Sequence, residues 1–207
     1  MYVYLRDPTA ISQRSLELVR AEADLARFPS LLRRVAERLA HAVGDVSILD
    51  DLAWSKNAAA AGHAALAAGA TILVDSAMVG AGITRERLPA GNAVLCFLSE
   101  PTVSGIADAQ STTRSAAAVE LWRPHLRGAV AAIGNAPTAL FRLLEILAEG
   151  AAHPALILGF PVGFVGATEA KAALAAHGDG VEFITLHGRR GGSAIAAAAV
   201  NALASWR

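Results

Sequence analysis

The chain has 207 residues, and its eighteen basic and eighteen acidic side chains cancel at neutral pH. With no basic block along it, nucleic acid is excluded as the expected partner. The hydrophobic share is 54% and the mean hydropathy +0.43, but much of the excess is alanine, which adds little transfer free energy. The longest weakly polar run, "AAAAGHAALAAGATILV", contains His63 and two glycines and falls short of the about 20 strongly apolar residues of a spanning helix. No membrane partner is expected.

This length suits one domain over residues 1–207. The start, "MYVYLRDPTA", lacks a charged region followed by an apolar one, so the expected location is cytoplasmic. Two amphipathic helices open the chain, Thr9 to about Leu25 and Ser30 to about Val43, the second stopped near Gly44. A third helix in "SKNAAAAGHAALAAG" is expected to start at a Ser55 cap and end at Gly69.

Apolar runs then recur at Thr71–Asp75, Ala93–Leu98, Ala129–Ile133, Ala155–Leu158 and Phe183–Leu186, each followed by a loop and in most cases a helix. This rhythm predicts an α/β fold: a mostly parallel sheet covered by helices on both faces, with two leading helices. The stretch Ser99–Thr113 reads as a long active-site loop. Three strand exits are glycine-rich: "IGNAPTAL", "LGFPVGFVGATEAK" and "LHGRRGGSAIA". Glycine allows close backbone approach and helix N-termini offer N–H groups to anions, so the functional surface is expected to collect these three loops.

The single cysteine, Cys96 in "AVLCFL", excludes an intrachain disulfide and is expected to pack in the core. Sixteen of the eighteen basic residues are arginine, which suits an anionic ligand or reflects coding bias. P-loop, dinucleotide, Gly-x-Ser-x-Gly and HExxH patterns are all missing, so no nucleotide, metal or other cofactor is expected.

His41 lies in "ERLAHAVGD". Projected at about 100° per residue, Leu31, Leu32, Val35, Leu39, Ala42 and Val43 form an apolar arc, while Arg33, Arg34, Glu37, Arg38 and His41 lie opposite. His41 is therefore either a solvated surface residue or one facing a ligand. The helix C-terminus and Glu37 favour its imidazolium, whereas Arg34 and Arg38 oppose it. A proton donor near neutral pH is chemically reasonable there. His63, His125, His153 and His177 read as structural or solvated; His187, on a glycine-rich strand exit, is a candidate to line a pocket.

Seven stretches, in order along nearly the whole chain, carry a resemblance: "YLRDPTAISQRSLELVRAEADL", "RLAHAVG", "LPAGNAVLC", "TRSAAA", "AIGNAPTALF", "LGFPVGFVGATEAK" and "GRRGGSAIAAAAVNALA". Together they resemble the precorrin-8X methylmutase family of cobalamin biosynthesis. The resemblance implies an isomerase that moves a methyl group between neighbouring ring-C carbons, converting precorrin-8X to hydrogenobyrinate with no external donor. It implies His41 as proton donor or acceptor, Ser15 as a substrate contact, and Arg114 and Arg189 as partners of the substrate's carboxylates. It also implies a homodimer with the pocket near the subunit interface.

"AVGD" after the histidine is similar to both the metal-free and the cobalt branch; "RAEADL", "LPAGN" and "TRSAAA" look closer to the metal-free one. The competing readings are a cobalt-precorrin-8 methylmutase, a corrinoid carrier that would not need His41, and a generic anion-binding domain that would retain only the glycine loops.

Overall fold

The computed structural model describes residues 2–176 and 180–205; His177 lies outside the described residues. Helix α1 (Pro8–Glu22) begins where the Asp7 carboxylate accepts the Ala10 N–H at 2.6 Å, and Pro8 fits the first helical position because no N–H is needed there. Helix α2 (Ser30–Val43) ends at Gly44, whose φ of 73° is the left-handed conformation glycine adopts without strain, and whose N–H donates to Ala40 O at 2.9 Å. The first helix is thus shorter than expected, and a 3₁₀ turn, Leu25–Arg27, follows it.

The remaining elements are β1 (Leu52–Trp54), α3 (Ala58–Ala67), β2 (Ile72–Val74), α4 (Ala77–Gly82), β3 (Val94–Leu95), α5 (Thr102–Ala109), α6 (Arg114–Glu120), β4 (Val130–Ile133), α7 (Pro137–Ala148), β5 (Leu156–Gly159), α8 (Ala167–Ala176), β6 (Phe183–Leu186) and α9 (Ser193–Ala204). All five expected strands are present, and they form one parallel sheet in the order β6-β5-β4-β2-β3. Its side chains alternate between two cores, as the period of two requires. Ile72, Val74, Val130, Ala132, Leu156, Leu158, Ile184 and Leu186 face α2, α3 and α9. Leu73, Ala131, Ile133, Ile157 and Phe183 face α7 and α8.

Three sequence expectations are corrected. The unexpected strand β1 pairs antiparallel with β6, Ala53 opposite Thr185. Ser55 does not cap α3, which starts after Asn57 with no side-chain cap; its hydroxyl bonds the Glu182 carboxylate and accepts the Phe183 N–H at 2.8 Å, closing the β1–β6 end. The supposed loop Ser99–Thr113 contains α5, whose Val103 and Ala107 bury against Ala117 and Ala118 of α6.

The apolar stripe of α2 is also rotated from the expected arc: Leu32, Val35, Ala36, Leu39 and Ala40 are buried, while Leu31, Ala42 and Val43 are exposed. Two alanines on the buried side let α2 lie close along the alanine-rich α9. Each fully buried leucine or valine there contributes about 1.5–3 kcal/mol. His41 stays outside this contact, exposed in the last turn.

Candidate active site

His41 and Ser15, far apart in sequence, line one hollow of about 370 Å³. Its walls are Leu18, Val19 and Glu22 of α1, Ala40 of α2, and the turn Gly44, Asp45 and Val46. The packing of α1 on α2 through the buried Val19 places Ser15 there. Its hydroxyl donates to Ile11 O at 2.8 Å, which leaves the oxygen free to accept. Glu37 does not serve His41 as the helix projection suggested: Arg20 grips both of its oxygens, at 2.9 and 3.0 Å.

The rim beside His41 carries a fixed negative charge. Asp45 accepts the Ser47 hydroxyl at 2.8 Å and the Ser47 N–H at 2.8 Å. These bonds, with the nearby Arg190 charge, hold the Asp45 carboxyl below the usual carboxylate range.

The strand exits behave differently from one another. At the switch point between β2 and β4, where open α/β sheets bind ligands, the 3%-exposed Asp75 turns inward. It accepts the N–H groups of Gly134 at 2.9 Å, Asn135 at 2.9 Å and Ala136 at 2.8 Å. Burial raises its carboxyl above the usual range, while the three bonds pull it back. The protein's own carboxylate thus occupies the N–H groups that "IGNAPTAL" was expected to offer an anion.

The other two loops interlock. Gly192 N–H donates to Phe160 O at 2.8 Å, and a Cβ on Gly191 would sit 2.4 Å from that same oxygen. Beneath them Lys171 is fully buried, its Nζ donating to Arg190 O at 2.6 Å. Burial pushes its pKa down to about 8, against the pull of the Asp51 charge.

Arg189 and Arg114 do not line the His41 hollow. Arg189 is exposed, its guanidinium 5.0 Å over the Phe164 ring. Arg114, exposed at the start of α6, spends one Nη2–H on Leu98 O at 3.0 Å, so most of its five donors face outward. His187 is exposed and tied by its backbone N–H to Asp51 O at 2.7 Å. His125 stacks on Phe97 at 5.4 Å between ring centroids, His153 contacts Gly180 O at 3.3 Å, and His63 contacts Leu203 O at 3.1 Å. Cys96 is half-buried and packs against the edge of the core, as expected, where it also lines a groove with Val74 and Ile83.

Sequence reasoning missed Asp75, Lys171 and Arg190. An acid directly after a strand, in "ILVDS", was the available signal for the first; the other two depend on partners far along the chain. Among the described residues, no group of three His, Cys, Asp or Glu could hold a metal ion, and no helix is long and apolar enough to cross a membrane.

A family model described as precorrin-8X methylmutase matches residues 10–206. A precorrin-8X methylmutase of Pseudomonas aeruginosa is 58% identical over 100% of both chains. A cobalt-precorrin-8 methylmutase of Salmonella typhimurium is 37% identical over 97% of this chain and 96% of its own. The crystal structure of a precorrin-8X methylmutase from Thermus thermophilus superposes with a TM-score of 0.86 at 42% identity, covering 95% of this chain and 94% of that one.

Proposed function

Since the chain belongs to the precorrin-8X methylmutase family, we propose that it is the isomerase that converts precorrin-8X to hydrogenobyrinate in cobalamin biosynthesis. The observation that carries the site assignment is the shared hollow: α1 brings Ser15, and α2 brings the exposed His41, to one cavity. The reaction moves a methyl group between neighbouring carbons of one molecule, so atoms balance with no donor and no redox partner. His41 gives or takes the proton that accompanies the shift, a contribution of about 10²- to 10⁴-fold. Oriented binding supplies much of the rest.

A flat polycarboxylate needs apolar surface edged by arginine. Phe164 and Val165 are 81% and 89% exposed, with Arg189 over the Phe164 ring, and Arg114 holds most of its donors free. We assign both arginines to the substrate's carboxylates, and Ser15 to a hydrogen bond with the macrocycle's periphery. The exposed apolar loop also supports a homodimer whose interface adjoins the pocket, and a cytoplasmic location belongs to the same proposal. The metal-free substrate is favoured because identity is 58% to the precorrin-8X relative and 37% to the cobalt one.

The test is to give the purified protein precorrin-8X and, separately, cobalt-precorrin-8, and to follow the absorption spectrum. Conversion of the first to hydrogenobyrinate is expected; conversion of the cobalt compound alone would reverse the branch, and no conversion of either would overturn the enzyme reading.

A further inference from the structure

We infer that Arg190 is a positioning residue for the His41 hollow: its guanidinium ties the turn that closes the hollow to the strand-exit loop carrying Arg189, while Lys171 fixes the Arg190 backbone from beneath. The inference rests on the function proposed above and adds to it a pair of residues that do not touch substrate.

The donor inventory decides what Arg190 does. A guanidinium has five N–H groups in a rigid fork. Nε donates to Asp51 Oδ2 at 3.0 Å, Nη1 to Ser47 Oγ at 2.8 Å and Asp45 Oδ2 at 3.3 Å, and Nη2 to Ser47 O at 3.0 Å and Asp51 Oδ2 at 2.7 Å. All five are spent on residues 45–51, so Arg190 has nothing left for a substrate carboxylate. Among the described residues, the guanidinium of its neighbour Arg189 lies over an aromatic face. Adjacent arginines in "GRRGG" therefore have opposite tasks.

What Arg190 grips matters to the chemistry. Helix α2 ends at Gly44, and the next two residues, Asp45 and Val46, line the hollow with His41. Within this segment the side-chain bonds run from Ser47 to Asp45, which shape the turn without anchoring it to the sheet. Ile48 and Leu49 bury in the core and Arg27 pairs with Asp50; Arg190 adds the polar anchor to the strand exit, together with the His187 N–H on Asp51 O.

The anchor itself has no slack. Lys171 holds Arg190 O at 2.6 Å, and Gly191 lies against the carbonyls of Phe160 and Pro161, so close that a Cβ would approach them to 2.4 and 2.6 Å. A fully buried lysine is an expensive way to satisfy one carbonyl. Its burial is accounted for if holding this loop in place is what it does.

The test compares kcat and KM for precorrin-8X in wild type, Arg190→Met, Arg190→Lys and Lys171→Met. Loosening the rim should lower kcat in Arg190→Met by roughly 10- to 100-fold while KM moves by only a few-fold. Arg190→Lys, with the charge but not the fork, should recover part of the loss, and Lys171→Met should lose less than Arg190→Met.

A folded Arg190→Met with kcat within about two-fold of wild type overturns the inference; so does a loss entirely in KM, which would make Arg190 a substrate contact. Should Arg190→Met fail to fold, Ser47→Ala and Asp45→Asn remove single rim contacts, and unchanged kcat in both overturns it equally. Wild type inactive on precorrin-8X would count against the proposed function instead. Amide hydrogen exchange over residues 41–47 then still decides the clamp, being faster in Arg190→Lys than in wild type if it holds and unchanged if it does not.

Discussion

Replacing Asp75 by alanine should uncover three backbone N–H groups in the loop just ahead of α7 that the protein now fills with its own carboxylate. Three N–H groups lose their acceptor, bonds of 2.9, 2.9 and 2.8 Å. Leaving a buried donor unmet costs about 1–3 kcal/mol. Gly134 N lies in buried surroundings and the other two in partly buried ones, so water recovers some of their loss. Removing a carboxylate whose burial raises its pKa returns a further part, leaving a net destabilisation of about 2–4 kcal/mol.

For a chain of this size each kcal/mol shifts Tm by about 2–4 °C, so Tm should fall by roughly 4–16 °C. Asp75→Asn keeps one acceptor oxygen but turns an amide NH2 toward at least one of the N–H groups, and should lose about half as much. Thermal and urea unfolding read both. Sulfate gives a second readout: taking up the vacated loop N–H groups, it should raise Tm of Asp75→Ala more than that of wild type. Stability of Asp75→Ala within about 0.5 kcal/mol of wild type, the range of an ordinary surface change, would refute the reasoning.

Gly191→Ala should displace the interlocked β5–α8 and β6–α9 loops, because the new Cβ would lie 2.4 Å from Phe160 O; a destabilisation of about 1–3 kcal/mol by urea unfolding is expected, together with weaker hydrogenobyrinate binding. Lys171 gives a pH dependence of defined sign. Its folded pKa of about 8 lies below the ordinary 10.5, so between those values the unfolded chain binds the extra proton and stability rises with pH. Wild type should therefore gain roughly 3 kcal/mol relative to Lys171→Met from about pH 7 to pH 10.5, measured by urea midpoints across the range; a pH-independent difference would contradict the buried ammonium. Arg114→Ala should raise KM for precorrin-8X with kcat nearly kept, as loss of a binding contact does.

The five parallel strands were legible because each is a short apolar run bounded by polar or glycine-bearing turns, and the end of α2 was legible because Gly44 alone there tolerates a left-handed turn. Strand β1 was not, since three residues of "LAW" carry no period and become a strand only by pairing with β6. The rotated stripe of α2 escaped for a related reason: Ala36 and Ala40 are buried because α9 offers equally small residues opposite, which projection of one helix does not show. His41 and Ser15 came from motif resemblance, and their convergence needed the fold. Arg190 was invisible as a clamp because its acceptors lie 139–145 positions away, and the "RR" pair gives no sign of which arginine is spent on the protein.

A single-turnover comparison of His41→Ala with wild type on precorrin-8X tests the central assignment most directly. Formation of hydrogenobyrinate should slow by roughly 10²- to 10⁴-fold while the variant still binds the product, since His41 is exposed in the hollow and no buried contact is lost. An unchanged rate would remove His41 from the chemistry, and with it the reading of this hollow as the place where the methyl group moves.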